Sequence, residues 1–213
     1  MILGVIPARG GSKGIKHKNL YPLCGEALIE YTIEAAQKSS LADFILTTDD
    51  IEIAKHYYHC ILRPPELAQD DTPMLPVIQH AVEQYGKLVD AVMILQPTSP
   101  LRTTEDINTA IALFNKGNAE CLVSVCNGVH PMKSYTLDGK PIMEQIPYDK
   151  HLHGCYTRNG AIFIVSKKLL DSGRLFDDHP LLYVMPKTRS IDIDDYEDME
   201  IAKALIKLQG GLW

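Results

Sequence analysis

The chain of 213 residues contains no apolar run approaching the roughly 20 residues that a membrane span requires. It has no close CxxC pair either. Its five cysteines (Cys24, Cys60, Cys121, Cys126 and Cys155) are odd in number and scattered. That argues against a zinc ribbon or a disulfide framework and for reduced thiols in a cytoplasmic protein. There is no positive charge excess: the formal balance is −6, whereas domains that bind nucleic acid usually present a basic surface. The N-terminus runs into a strand-like segment without a charged lead or cleavage site, so no signal peptide is read. Internal repeats and low-complexity stretches are missing. So are the P-loop pattern G-x-x-x-x-G-K-[ST] and the dinucleotide pattern G-x-G-x-x-G.

What remains, at 46% hydrophobic and 23% charged residues, is the composition of a globular protein long enough for one hydrophobic core. Short apolar runs at Ile2–Ile6, Phe44–Thr47, Cys60–Leu62, Ala91–Leu95 and Cys121–Cys126 read as strands. Between them Leu28–Lys38, Ile51–Tyr58, Pro76–Tyr85 and a segment capped by Thr104 and running to about Asn115 read as helices. Strands alternating with helices predict an α/β fold: a Rossmann-like three-layer arrangement with a mostly parallel sheet flanked by helices. The alternation stops at residue 127. His130–Asn159 is rich in Pro, Gly, Tyr and His, with a turn signal at Asp138-Gly139, and reads as an insertion into a single domain spanning residues 1–213. Strand signals return at Ala161–Val165, Leu181–Met185 and Ser190–Ile193. Asp195 then caps a last amphipathic helix with Met199, Ala202, Leu205 and Ile206 on one face.

Four constellations carry chemistry. Arg9-Gly10-Gly11-Ser12-Lys13-Gly14 follows the first strand, with Lys16, Lys18 and Asn19 close behind. Glycines let backbone N–H groups approach phosphate oxygens, and Arg9, Lys13 and Lys18 would neutralise a triphosphate; a solvated turn with scattered lysines would look similar. Asp192-Ile193-Asp194, read as strand, places two carboxylates on one face, where they repel unless a cation such as Mg²⁺ compensates. An acidic edge before a capped helix is the alternative. Gln96, after the fourth strand, offers an amide for a base edge in the stiff turn Gln96-Pro97-Thr98-Ser99-Pro100, and Arg63 lies beyond the third strand. The eight histidines offer no clear catalytic partner.

In family order, Ile6-Pro7-Ala8-Arg9-Gly10-Gly11-Ser12-Lys13-Gly14, Lys18-Asn19-Leu20, Leu62-Arg63-Pro64, Leu95-Gln96-Pro97-Thr98-Ser99-Pro100-Leu101-Arg102, Asn159-Gly160-Ala161 and Ser190-Ile191-Asp192-Ile193-Asp194 together resemble the acylneuraminate cytidylyltransferases. The resemblance implies transfer of CMP from CTP to the anomeric hydroxyl of a sialic-acid-like nonulosonic acid. It implies that Arg9, Ser12, Lys13, Lys18 and Asn19 bind CTP, that Arg63 and Gln96 hold nucleotide and sugar, that Lys133 lies near the sugar, and that Asn159, matched through the Asn-Gly motif, is among the substrate-binding residues. Asp192 and Asp194 would hold Mg²⁺, with Asp194, a metal-bound hydroxide or water as the base. Arg9, Lys18 and Asp194 would form the catalytic group. A homodimer built through residues 130–159 is also implied. Tyr148–Cys155 departs from the Arg/Gln-rich stretch ending in Leu-Pro that many relatives carry, with Lys150 standing in for an arginine. The acceptor is thereby opened to a related acidic nine-carbon sugar. Other readings are a CTP-dependent transferase for Kdo or a phosphonate, and an inactive nucleotide-binding homologue.

Overall fold

The structure, a computed structural model, describes residues 1–128, 155–208 and 210. Seven strands form one sheet: β1 (Ile2–Pro7), β4 (Asp43–Thr48), β5 (Cys60–Leu62), β6 (Ala91–Ile94), β7 (Cys121–Asn127), β8 (Tyr156–Ser166) and β9 (Leu181–Val184). A two-stranded hairpin, β2 (Pro22–Leu23) and β3 (Glu26–Ala27), lies apart from it. The order in the sheet is β5-β4-β1-β6-β8-β7-β9. β8 pairs antiparallel with both of its neighbours, and the other pairings are parallel. The expected mostly parallel sheet is therefore present.

Side-chain alternation sorts the sheet into two faces. Ile6, Leu46, Met93, Leu122 and Ile164 face α1 (Leu28–Gln37), α2 (Ile51–His56) and α4 (Thr104–Lys116) in one core. Leu3, Val5, Ile45, Val92 and Ile94 face α3 (Met74–Tyr85) and α5 (Lys167–Asp171) in another. A third cluster joins α6 (Tyr196–Leu208) to the loop after β1: Met199, Ala202 and Ile206 pack with Ile15, Leu23, Leu101 and Ile193. Among the described residues no helix is long and apolar enough to cross a membrane.

Three local expectations change. Thr103, not Thr104, caps α4: its hydroxyl accepts from the Asp106 N–H while the Asp106 carboxylate accepts from the Thr103 N–H, a reciprocal capping box. β8 begins at Tyr156, so Asn159 lies within a strand rather than at the end of an irregular insertion. Ser190–Ile193 is not a strand. A short 3₁₀ turn at Lys187–Arg189 precedes it, and Ile193 N–H donates to the Thr98 carbonyl (2.8 Å) instead of entering a ladder. The Asp195 cap holds, since its carboxylate accepts from the N–H groups of Glu197 and Asp198. Asp138-Gly139, Lys133, Lys150, His151 and His153 lie outside the described residues.

Buried Asp106 ties α4 to the far edge of the sheet. It accepts two hydrogen bonds from Arg189 (2.7 and 2.9 Å) and one from the Tyr183 hydroxyl (2.7 Å). Burial alone would raise its pKa. The bonds from Arg189, the Thr103 N–H and Tyr183 outweigh that and hold the carboxyl below its ordinary value. A depressed folded-state pKa contributes stability that is present above the unfolded value, about 3.9, and is lost as pH falls through the folded value. Asp106→Asn is expected to cost about 2–4 kcal/mol at neutral pH. It should also flatten the loss of stability below about pH 4. Urea unfolding as a function of pH checks both.

Candidate active site

The strand order reverses beside β1: the chain steps outward through β4 and β5 and then crosses back to β6 on the other side of β1, all four strands parallel, and a crevice opens between β1 and β6. In open α/β sheets this switch point at the carboxyl ends of the strands is where ligands bind. The loops after β1, β5 and β6 all open on this edge. β8, being antiparallel, brings its beginning to the same edge: Phe163 pairs with Ile94, so residues 156–162 run beyond the end of β6. A cleft of about 360 Å³ lies there. It is lined by Arg9, Ser12, Lys18, Asn19, Arg63, Gln96, Asp192 and Asp194, with Leu67, Met74, Val77, Asp70 and Thr98 among the other walls.

The loop after β1 is fixed from below. Gly10 N–H donates to Asp49 (3.0 Å), and the Asn19 amide donates to the Arg9 carbonyl (2.8 Å). The glycines of this loop serve different ends. A Cβ at Gly14 would lie 2.1 Å from the Asp194 carbonyl oxygen, whereas one at Gly11 would meet nothing within 4 Å. Gly14 is thus needed for packing against the acidic segment, and Gly11 leaves backbone open at the cleft. Lys18 is largely buried and bridges the same two parts, donating to the Ile193 carbonyl (2.7 Å) and reaching Asp194 (3.2 Å).

Arg9 and Lys13 converge on one carboxylate that the sequence did not single out. Arg9 donates to Oδ1 of Asp70 at 2.6 Å, and the Lys13 ammonium lies 2.7 Å from Oδ2. These hydrogen bonds, that from Lys13 foremost, lower the Asp70 pKa. Lys13 is otherwise exposed and lies beside the cleft rather than in its wall. Arg63 is buried at the cleft, 3.9 Å from Asp49, and its Nε has no acceptor. An unsatisfied buried donor costs about 1–3 kcal/mol; this nitrogen is closed off from the cleft, so what Arg63 brings to the wall is buried positive charge. Burial, with Arg9 nearby, lowers its pKa against the pull of Asp49.

Asp192 and Asp194 both line the cleft, with Ile193 buried between them, in a segment that is neither helix nor strand. Asp192 is exposed along the cleft, yet it sits close enough to surrounding protein to lose part of its hydration. That loss is the main reason its carboxyl is raised above the ordinary value. Asp194 adds to the shift, and the Thr98 hydroxyl and Lys18 oppose it. Asn159, read from the sequence among the substrate-binding residues, does not line the cleft. It accepts from Ser124 (2.6 Å) and donates to Ser190 (2.8 Å), tying β8 to β7 and to the segment that leads into the carboxylates. Its neighbour Gly160 has φ +74°, and a Cβ there would meet Asp192 and Gln96, each at 3.0 Å. The Asn-Gly pair thus shapes the acidic wall from behind.

The cytidylyltransferase family profile matches residues 3–208. The chain is 36% identical to the N-acylneuraminate cytidylyltransferase of Escherichia coli O18:K1:H7 over 94% of its length, and spans about half (51%) of that protein. It is 30% identical to the pseudaminic acid cytidylyltransferase of Campylobacter jejuni serotype O:2, covering 97% of this chain and 96% of the relative. It is 31% identical to the CMP-N,N'-diacetyllegionaminic acid synthase of Legionella pneumophila, covering 97% of each. In fold it is similar to a CMP:2-keto-3-deoxy-manno-octonic acid synthetase solved with CTP, with a TM-score of 0.75 at 15% identity over 98% of this chain and 99% of that one. The two glycine environments predict opposite outcomes. Gly14→Ala is expected to destabilise the ligand-free protein by about 1–3 kcal/mol, while Gly11→Ala leaves its melting temperature in place. Thermal melts of both variants check this.

Proposed function

Because the chain belongs to the cytidylyltransferase family, we propose that it transfers CMP from CTP to the anomeric hydroxyl of an acidic nine-carbon sugar, a nonulosonic acid. The observation that carries this reading is the pairing, across one cleft, of a cationic glycine loop (Arg9, Lys18) with two carboxylates (Asp192, Asp194). An inactive nucleotide-binding homologue would have no need of both. The relatives named for pseudaminic and legionaminic acid match this chain over nearly their whole lengths, which supports the acceptor class.

The cleft divides by chemistry. Arg63 with Leu67, Met74 and Val77 offers buried positive charge beside apolar surface, suited to a pyrimidine and its ribose. Arg9, Ser12, Lys18 and Asn19 form the phosphate-facing centre, with Lys13 at its rim. Gln96, Asp192 and Asp194 form the end next to β8 and suit the sugar. Mg²⁺ fits the carboxylate pair. Asp192 is raised by lost hydration and by Asp194, which a cation would relieve. Among the described residues no third His, Cys, Asp or Glu completes a protein-only site, leaving positions for phosphate oxygens and water, as this ion prefers. When bound, the ion supplies positive charge at the phosphates.

In the reaction the anomeric oxygen forms a bond to the α-phosphorus, the bond to the bridging oxygen of the β-phosphate breaks, and pyrophosphate leaves. Arg9 and Lys18 neutralise charge that spreads onto the phosphate oxygens. Asp194, the more open carboxylate, orients the attacking hydroxyl or accepts its proton. Subunit pairing through residues 130–159 belongs to the same proposal.

Two measurements test the reading. Pyrophosphate release from CTP, followed across N-acetylneuraminate, pseudaminic acid, legionaminic acid, Kdo and a phosphonate, is expected to depend on a nonulosonic acid. Release with Kdo or the phosphonate alone, or with no acceptor in the panel, overturns it. Asp192→Asn and Asp194→Asn are each expected to lower kcat about a hundredfold or more while the melting temperature holds. Unchanged turnover in the double variant would remove the metal assignment.

A further inference from the structure

Two of the cations that the proposed function places at the phosphates, Arg9 in the centre and Lys13 at its rim, are both engaged with Asp70, and each takes a different oxygen of one carboxylate (2.6 and 2.7 Å). Asp70 stands on the segment that follows the short helical turn Pro65–Leu67. That segment supplies Leu67, Gln69, Asp70 and Thr72 to the cleft wall. It is held as a turn from within: Thr72 N–H donates to the Gln69 carbonyl and the Thr72 hydroxyl to that of Glu66, each at 3.2 Å. Among the described hydrogen bonds and ion pairs of Gln69–Thr72, those of Asp70 are the ones that cross to the loop after β1.

A planar carboxylate accepting from one guanidinium and one ammonium takes up donors that a phosphate's oxygens would accept from. The two anions compete for them. A triphosphate seated on Arg9 and Lys13 would bring its charge close to that of Asp70, and like charges repel. We propose that Asp70 is an internal anion that occupies the phosphate-facing cations of the ligand-free chain, and that nucleotide binding displaces it and frees the segment around residues 69–72 from the loop after β1. The inference rests on the CTP reading above. It adds a residue that opposes nucleotide binding, and so sets the concentration at which the cleft fills.

Arg9 and Asp70 are partly exposed and Lys13 largely so, so the contacts are screened by water and the competition is modest. The effect expected is a change in affinity, not an on–off switch. The neighbouring acid, Asp71, provides the control, because Asp71→Asn removes the same formal charge one residue away from the contact. The probes are CTP and inorganic tripolyphosphate, titrated calorimetrically into the full chain with EDTA present, so that no metal bridges the anions.

Asp70→Asn should tighten both probes by a similar factor, roughly 3- to 20-fold, and Asp71→Asn should leave both unchanged. Four results overturn the proposal. Unchanged or weaker binding in Asp70→Asn would mean the carboxylate does not compete. Tightening for CTP but not tripolyphosphate would place the effect away from the phosphates. Equal tightening in Asp71→Asn would make it general electrostatics. Weaker binding that appears only once Mg²⁺ is restored would make Asp70 a metal ligand instead. If the wild-type chain, folded by its melting curve, binds neither probe either with EDTA or with Mg²⁺ restored, the CTP reading itself fails, and this inference falls with it.

Discussion

A guanidinium with no exposure to water holds the centre of this molecule. Arg102 donates to the Ala161 carbonyl on β8 (2.8 Å), to the Gln96 carbonyl after β6 (3.2 Å) and to the Thr32 hydroxyl on α1 (2.6 Å). Burial pushes its pKa down to about 9, against the pull of Asp106, so it is still charged at neutral pH. Burying a cation is costly; the hydrogen bonds from the two terminal nitrogens offset part of that cost, while Nε is left without an acceptor. Its reward is positional. The turn it fixes is the one whose Thr98 carbonyl receives Ile193 and whose Thr98 hydroxyl faces Asp192. The acidic wall is therefore hung from a turn that Arg102 clamps to two other elements.

The rest of the acidic wall is positioned by groups that never touch the cleft's contents. Asn159 spends its amide on Ser124 and Ser190, and the Lys18 ammonium rests on the Ile193 carbonyl. A site that must place two like charges side by side needs supports of this kind, because the carboxylates themselves push apart. Residue type at the cleft thus follows from chemistry, and residue type one layer behind follows from the need to hold that chemistry still.

Much of this was legible in the sequence. The strand–helix alternation gave the parallel sheet because each element carries its own periodicity, and the glycine-rich basic loop and the Asp-x-Asp spacing pointed to one edge because both follow strand-like runs. The misreadings share a cause. Ser190–Ile193 alternates like a strand, but the Ile193 N–H finds its acceptor on the turn after β6, a tertiary partner no local pattern reveals. Arg102 stands in the sequence only as the last residue of a family motif, with no role read for it, and among the described residues it is the most deeply buried arginine. Asp70 stands out in no pattern, and only the fold brings it against Arg9 and Lys13. Asn159 carries a motif but spends it inward. Charge in a sequence says what a residue can do, while its partner is decided by topology.

The strand order has a consequence for how the protein comes to exist. The cleft is written in stretches near residues 9–19, 63–74, 96–98 and 192–194, and neighbours in the sheet such as β1 and β6, or β7 and β9, are far apart along the chain. No short fragment contains half a cleft. Such non-local pairing closes loops before contacts reward it, which makes folding slow relative to helical proteins of the same size. It also means that a ligand spanning the cleft binds the native chain and almost nothing else, so its binding energy is set against global unfolding. A filled cleft therefore acts as a clasp against every opening that pulls its separated stretches apart, global unfolding above all, while an opening of the β9 edge that leaves the cleft intact goes on as before.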